Sequence, residues 1–338
     1  MNDEGTKILH GLLTSCRDED CATRLIQTIA VHPMPNDTET GHVSRAIISQ
    51  ALTMVLFDDL LNRVPTARDY VNAAIASGRK IVFDHGALRT VAAQCGALPQ
   101  GDGAITRILI PLGYEVAAVY PLTRIAMTGR AYRHCDDPEH IPQFFVSELH
   151  PERFSPAFQQ AVTRTLVSSR DPLMPESRKR LDRLARFHAL PSGDAAALIA
   201  NLATCFGRQH DTPRLDDYET LLGESAEMAW ISTEGNTFNH ATDRVADVAA
   251  VAEQQRRAKR PIKDTVEVSS NGRVRQTAFK AAMVERDFIG NRGRIVQRQV
   301  PGSFYEFITR DPLPDGSGLD LGFDPGNAQG IFKMTSAV

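Results

Sequence analysis

Three side chains that can ligate a metal lie near the ends of short apolar runs typical of β-strands. They are His85, His240 and Glu306, and the runs that contain them are residues 81–85, 237–240 and 304–308. Two imidazoles and one carboxylate form the facial triad that holds a divalent metal, often non-haem Fe(II), and leaves positions open for substrate and oxygen. If the three side chains converge, the protein is a metalloenzyme.

Each candidate ligand shares its predicted strand face with an apolar neighbour, because successive side chains on a strand point to opposite faces. The pairs are Phe83 with His85, Phe238 with His240, and Phe304 with Glu306. A polar group on an apolar face needs a partner, and one metal ion would serve all three. The alternative for each is a hydrogen-bonded core histidine or an ion-paired glutamate.

Two further features are alternatives to this triad. His134 is the best reserve ligand, since it lies near the first set of predicted strands. The segment Asp136–His140 carries enough charge to bind a cation, although such a segment is more typical of a solvated loop.

The elements that would position the triad occur twice in the order β-α-β-β-β, over residues 80–150 and 231–338, the second range including an irregular tail. In the first module, residues 80–85 are predicted to be a strand, and residues 86–95 can form a helix. In the second, residues 243–259 are predicted to be the helix. His85 and His240 fall on the first strands of the two modules, and Glu306 falls on the last strand of the second. We therefore expect the two first strands to face each other across the centre.

Helical segments surround these modules. Residues 1–79 form a predicted N-terminal helical region, in which apolar residues recur at three- and four-residue steps over residues 43–61. Residues 151–230 form a predicted helical insertion between the modules, which includes a helix over residues 216–230. The predicted fold class is α+β.

Composition narrows the functional classes. Net charge is -3 over 338 residues, so no nucleic acid or anionic membrane is expected as a partner. No apolar stretch is long enough to span a bilayer, and the acidic start carries no secretion signal. The five scattered cysteines form no CxxC pair, which predicts a reducing cytoplasm and neither disulfide framework nor zinc ribbon. The oligomeric state is left open.

Five motifs together resemble the 2-oxoadipate dioxygenase/decarboxylase family, also called 2-hydroxyglutarate synthases and related to vicinal-oxygen-chelate, glyoxalase-like proteins. The motifs occur in the family's order at residues 84–90, 144–149, 236–240, 275–280 and 305–310. The His-x3-Arg element with the separated His and Tyr-Glu-Phe is fairly specific as a set, whereas each motif alone is weak.

The resemblance implies a half-open barrel of paired βαβββ modules around a metal, with helices outside. It implies that His85, His240 and Glu306 are the ligands of Fe(II), or of another divalent metal in crystals. It also implies that Arg89 binds a substrate carboxylate. The implied reaction, part of lysine catabolism, converts the 2-oxo diacid 2-oxoadipate and O2 to 2-hydroxyglutarate plus CO2.

Arg89 follows His85 by four positions. On a continuing strand, both side chains share a face roughly 13 Å apart along it; on a helix from Gly86 they are roughly 6 Å apart. A surface ion pair is the alternative role of Arg89.

Three residues are candidates for contacts that support the metal ligands from behind: Gln276, Thr277 and Ser232. Asn239 is expected to point away from His240, and Glu148 is equally consistent with a place near the site and with the surface.

Two other functions suit the same residues. One is a non-redox isomerase or lyase of the vicinal-oxygen-chelate type that uses Ni(II), Mn(II) or Zn(II), although glyoxalase-type chemistry commonly uses four protein ligands. The other is a small-acid binding protein without turnover.

Overall fold

The computed structural model describes residues 3–33, 41–324 and 326. The strands are β1 (His42–Ser44), β2 (Phe83–Val91), β3 (Tyr114–Leu122), β4 (Met127–His134), β5 (Gln143–Leu149), β6 (Ala189–Pro191), β7 (His240–Arg244), β8 (Glu267–Val268), β9 (Val274–Ala278), β10 (Met283–Ile289), β11 (Ile295–Pro301) and β12 (Phe304–Arg310). The helices are α1 (Asp3–Thr14), α2 (Glu19–Thr28), α3 (Arg45–Arg63), α4 (Pro65–Ala76), α5 (Gly103–Leu109), α6 (Pro156–Leu166), α7 (Pro175–Phe187), α8 (Ser192–Thr204), α9 (Leu215–Glu224), α10 (Ala226–Glu234) and α11 (Val248–Arg257).

Eight strands form one curled sheet in the order β3-β4-β5-β2-β7-β12-β9-β8. In each half, the first strand of the module pairs in parallel with its last strand, β2 with β5 and β7 with β12. The other neighbouring strands are antiparallel, and β2 and β7 join the halves at the centre. Because α5 follows β2 and α11 follows β7, each half is a βαβββ module. The predicted α+β fold of two such modules in a half-open barrel is confirmed.

The helix that residues 86–95 could form is absent, because β2 continues as a strand to Val91. All nine residues of β2, which pairs with β5 and β7 inside the sheet, are buried, and a strand whose two faces are both covered need not show polar alternation. The pairing register between β2 and β7 also shifts at Asp84, where a bulge occurs. A bulge interrupts the alternation of faces. Phe83 accordingly packs against Phe57 of α3, with ring centroids 5.0 Å apart, and does not share a face with His85.

The helices outside the modules pack together. The short strands β1 and β6 directly precede α3 and α8. They pair antiparallel, so the N-terminal ends of these two helices are held together. The helix predicted over residues 216–230 is two helices, because Ser225 is extended (φ -147°, ψ 110°) between them. Ser225 Oγ accepts a hydrogen bond from Met228 N and so caps α10.

A hairpin that the sequence did not reveal lies between β9 and β12. Its strands β10 and β11 pair antiparallel around a 3-10 turn at Asn291–Gly293. β9 ends at Ala278, and the chain then turns into this mostly exposed hairpin. Among the residues that the structure describes, no helix has the length and apolar character needed to cross a bilayer.

Gly86 lies where a larger residue would collide with the core. An ideal Cβ there would be 2.3 Å from Cζ of Phe238, so we expect Gly86→Ala to lower the free energy of unfolding by about 1–3 kcal/mol. Gly193 in α8 is the matched control, since its Cβ would meet nothing within 4 Å. Urea denaturation of both variants tests this, and equal stability of Gly86→Ala and the wild type would contradict it.

Candidate metal centre

The pairing of three strands brings the predicted ligands to one face of the sheet. His85 on β2 lies opposite Thr242 on β7, and Thr242 lies opposite Glu306 on β12. His240 is two residues before Thr242, so both side chains point to the same face. The central pairing of the two modules therefore places side chains that are distant in sequence beside one another.

The ligand atoms of the three side chains lie within 4.8 Å of one another, and all three side chains are buried. Glu306 Oε2 is 3.4 Å from His85 Nε2 and 3.3 Å from His240 Nε2. Thr242 Oγ1 donates to Glu306 Oε2 at 2.8 Å and lies 3.1 Å from His85 Nε2. Thr242, which the sequence did not single out, therefore fixes the carboxylate between the two imidazoles.

The donor set suits a divalent metal ion. Glu306 Oε1 is buried and has no hydrogen-bond partner among the residues that the structure describes, so a cation would satisfy an otherwise costly group. Burial lowers the pKa of His240, which keeps the imidazole neutral and able to ligate. Burial alone would raise the pKa of Glu306, but its contacts with His240 and His85 hold that pKa well below its ordinary value. Two imidazoles and one carboxylate match the facial triad.

Asp84 orients His85. Its Oδ1 accepts a hydrogen bond from His85 Nδ1 at 2.8 Å, which leaves Nε2 facing Glu306. Burial would raise the pKa of Asp84, but Arg310 and Arg244 hold it well below its ordinary value. Such a carboxylate partner fixes the tautomer and the ring of a ligating histidine. Strict alternation of side chains along β2 would put Asp84 and His85 on opposite faces, so the bulge is what makes their contact possible. The sequence offers one signal for this role of Asp84, namely an acidic residue beside a candidate metal ligand.

His240 is held by ring packing. Its imidazole stacks on Phe304, with ring centroids 4.8 Å apart and planes at 29°. His240 Nδ1 is buried without a hydrogen-bond partner within the described parts of the chain. The two histidines therefore differ, since one is oriented by a carboxylate and the other by an aromatic ring.

The triad opens into a cavity of about 440 Å³. The lining residues are His85, Ala87, Arg89, Phe145, Ser147, Asn239, His240, Gln276, Glu306, Phe323 and Asp324.

Arg89 lies on the same strand as His85. Of the two alternatives that the sequence left open, a continuing strand and a helix from Gly86, the structure shows the strand, so Arg89 and His85 share a face. Its side chain is fully buried, and its guanidinium lies 4.9 Å from the Trp230 ring. Burial lowers the pKa of Arg89 to about 10, so the side chain stays cationic at neutral pH.

The three candidates for contacts that support the ligands occupy different places. Gln276 lines the cavity. Thr277, the next residue on β9, donates to Thr265 O at 3.0 Å and is not among the lining residues. Ser232 lies on α10, where its hydroxyl donates to Ala229 O at 2.6 Å, and it does not line the cavity.

Asn239 was expected to point away from His240, and this was wrong, since both residues line the same cavity. The alternation argument fails because β7 begins only at His240. The Asn239 backbone is held by both neighbouring strands, with N–H donating to Ala87 O at 2.8 Å and the carbonyl accepting from Phe304 N at 3.0 Å.

The reserve features have structural roles. The buried His134 ring hydrogen-bonds through Nε2 to Leu112 O and accepts from Asp136 N, and burial lowers its pKa to about 4. Glu148 forms an ion pair with Arg130 at 3.0 Å and does not line the cavity.

The loop over residues 136–140 brings its one histidine, His140, against His32 from the N-terminal region. Asp137 lies 2.8 Å from His140 Nδ1 and 3.3 Å from His32 Nδ1, and the two rings stack 3.8 Å apart at 8°. The nitrogen lone pairs of two parallel rings point in parallel directions and do not converge on one ion. This arrangement is therefore better described as a carboxylate-bridged histidine pair than as a metal site.

Comparison with known proteins gives the family to which the chain belongs. The chain belongs to the 2-oxoadipate dioxygenase/decarboxylase family, whose model matches residues 53–324. It is 56% identical to a glyoxalase-superfamily protein from Ralstonia eutropha JMP134, over 94% of this chain and 98% of that one, with a TM-score of 0.91. None of the curated proteins matches the chain.

Two more distant structures share the fold. Hydroxyglutarate synthase from Oryza sativa, in complex with 2-oxoadipate, is 19% identical with a TM-score of 0.67, over 91% of this chain and 98% of that one. Hydroxyglutarate synthase from Pseudomonas putida, also in complex with 2-oxoadipate, is 19% identical with a TM-score of 0.57, over 89% of this chain and 74% of that one. The likeness to these two structures concerns the fold, and membership of the family indicates a dioxygenase/decarboxylase-like function.

Replacing one ligand tests the centre directly. We expect His240→Ala to abolish stoichiometric metal binding without unfolding, because it removes one of three donors and leaves the sheet intact. Metal analysis of the purified variant and its circular dichroism spectrum measure the two effects. His134→Ala is the control for loss of a buried histidine and should keep its metal. Wild-type metal content in His240→Ala would contradict the assignment.

Proposed function

We propose that this protein is an Fe(II)-dependent dioxygenase that converts 2-oxoadipate and O2 to 2-hydroxyglutarate and CO2. The observation that carries the proposal is the meeting of His85, His240 and Glu306 in one buried cavity that Arg89 also lines. Membership of the 2-oxoadipate dioxygenase/decarboxylase family supports the reaction class. The two structures solved with 2-oxoadipate support the substrate class.

The proposed reaction balances with one O2 and one CO2. The carboxyl group beside the ketone leaves as CO2, the keto carbon becomes the new carboxyl carbon, and the adjacent methylene gains the hydroxyl group. These changes release the four electrons that reduce O2, so no external reductant is required.

The chain's own residues bind the metal and orient the acid. His85, His240 and Glu306 would hold Fe(II), which when bound supplies a chelating centre for the keto acid and redox chemistry for O2. Two neutral imidazoles and one carboxylate leave a divalent ion with net positive charge, which favours an anionic substrate. Asp84 keeps His85 in the ligating tautomer.

Arg89 would bind the carboxylate far from the ketone. A guanidinium makes a forked, two-bond contact with a carboxylate that an ammonium group does not reproduce. Its burial strengthens this contact, because few water molecules compete for either charge. The Trp230 ring beside the guanidinium restricts its direction, so the diacid would lie between the metal and Arg89.

The walls of the cavity combine apolar surface with a few polar groups. Phe145, Phe323 and Ala87 line it with hydrocarbon, which limits solvent near the reacting carbons. Ser147, Asn239 and Gln276 add neutral hydrogen-bonding groups. This arrangement suits a short flexible chain with a charged group at each end.

A non-redox isomerase or lyase is the second candidate, because the 56% identical structure is a glyoxalase-superfamily protein. The two candidates differ in their use of oxygen. The three-residue donor set favours the dioxygenase, since it leaves more positions open than a four-ligand site.

Oxygen consumption distinguishes these functions. We expect the Fe(II)-loaded protein to take up O2 on addition of 2-oxoadipate and to release one CO2 and one hydroxy acid per O2. An oxygen electrode with product analysis, applied to five- to seven-carbon 2-oxo diacids, measures this and ranks the substrates. Isomerisation without O2 uptake would support the second candidate, and binding without any turnover would indicate an acid-binding protein.

The role of Arg89 is tested by a charge-conserving change. We expect Arg89→Lys to raise KM for 2-oxoadipate, or lower kcat/KM, by about 10- to 100-fold, because the forked contact to the far carboxylate is lost. Steady-state kinetics on the Fe(II)-loaded variant measure this.

Two controls accompany this test. Arg298→Lys changes an exposed arginine on β11 and should leave the kinetics unchanged. The monoacid 2-oxohexanoate lacks the far carboxylate, so Arg89→Lys should scarcely alter its turnover or binding. Wild-type kinetics of Arg89→Lys with 2-oxoadipate would remove Arg89 from the substrate site.

A further inference from the structure

Residues Asp320–Asp324 form a strap at the cavity that is attached to both modules. Phe323 N–H donates to the hydroxyl of Tyr120, on β3 of the first module, at 3.0 Å. Ser270 N–H, in the turn between β8 and β9 of the second module, donates to Asp324 Oδ2 at 2.8 Å. The strap therefore spans the junction of the modules on the side where the triad opens.

Phe323 brings the strap against the metal centre. Its ring centroid is 4.9 Å from that of His85, at 87°, and 4.9 Å from that of Phe145. The ring thus forms the cavity wall beside one predicted ligand. Sequence reasoning missed this wall because it treated the Gly-rich tail as irregular.

One buried side chain connects the strap to that ligand. Arg310, at the end of β12, donates through Nε and Nη2 to Asp84 at 2.9 Å. Its Nη1 donates to the carbonyls of Asp320 at 2.9 Å and Gly322 at 2.8 Å. Its guanidinium also lies 5.0 Å from the Phe323 ring. A single planar group therefore holds both the carboxylate that orients His85 and the backbone that carries Phe323.

We propose that Arg310 is a positioning residue that couples closure of the strap over the cavity to the orientation of the metal ligand His85. This role rests on the proposed function, in which His85 binds the metal and the cavity binds the diacid. Because a guanidinium is rigid and planar, displacement of the strap disturbs the Asp84 contact, and a firmly held His85 favours the closed strap. Such coupling is reciprocal, so whatever loosens the strap also weakens metal binding.

Arg244 provides the matched comparison. It donates to Asp84 Oδ2 at 2.7 Å, as Arg310 does, but its other contact is the Glu139 carbonyl at 2.8 Å. Neither contact involves the strap. Arg244 also leaves Asp84 with one cationic partner when Arg310 is changed, which limits the cost of the substitution.

The test measures metal affinity and strap mobility separately in Arg310→Lys and Arg244→Lys. Co²⁺ titration under argon gives the metal Kd, and hydrogen exchange followed by mass spectrometry reports on the amides of Gly322 and Phe323. We expect Arg310→Lys to raise the Co²⁺ Kd by about tenfold or more and to accelerate strap exchange by about tenfold. Arg244→Lys should raise the Co²⁺ Kd and leave strap exchange within about twofold. A change in only one of the two quantities in Arg310→Lys, or equal strap loosening in Arg244→Lys, would overturn the proposal.

Tyr120→Phe is a second variant that tests the same coupling if Arg310→Lys does not fold. This variant removes the acceptor of the Phe323 amide and leaves every charge in place. We expect faster exchange at the Gly322 amide, which keeps its own acceptor at Asp320 Oδ1, together with Co²⁺ binding weakened by about twofold to fivefold. Faster exchange with unchanged Co²⁺ affinity would show that the strap and the ligand are independent.

These measurements involve no turnover. A protein that shows the paired changes but consumes no O2 with 2-oxoadipate would contradict the proposed function alone. An active dioxygenase without the paired changes would contradict the coupling alone.

Discussion

The antiparallel pairing of β2 with β7 is the constraint on which the site depends. It joins the first strands of two βαβββ modules at the centre of one sheet. His85, Thr242 and Glu306 thereby become neighbours in one row, although 221 positions separate the first from the last in the sequence. A slip of one residue would turn the β7 side chains to the other face, so the register also decides whether the candidate ligands converge.

The second feature of the site is a buried carboxylate, Asp84, that is stabilised by ion pairs. Asp84 is fully buried and has two arginines around it, and burial of such a carboxylate without them would be costly. The same carboxylate orients His85, so the ion pairs that make its burial possible also orient a candidate metal ligand. Elsewhere in the same cavity, Arg89 supplies positive charge beside the rings of Phe145 and Phe323. The cavity therefore combines a candidate metal-binding triad and a buried cation within largely apolar surroundings, and this polarity underlies the diacid substrate that we propose.

Much of this arrangement could be predicted from the residues. The order of apolar runs indicates two βαβββ modules, because strands and helices differ in hydrophobic period. The triad stands out because His85, His240 and Glu306 interrupt those runs with groups that need partners. The secondary structure was harder to predict wherever complete burial removes the alternation of polar and apolar residues. In β2, nine buried residues leave no polar alternation, so part of the strand looks like a helix. At residues 216–230, the extended backbone of Ser225 divides a pattern that looks continuous.

The sequence by itself determined the module order, the chemical types of the candidate ligands and the family, because these depend on residue type and local period. Only the tertiary structure decided the partners of those residues. The bulge at Asp84 changes which side chains share a face, the start of β7 at His240 turns Asn239 into the cavity, and Arg310 joins Asp84 to a strap in the tail. These relations depend on strand register and on contacts between distant segments, and a local pattern carries no information about either.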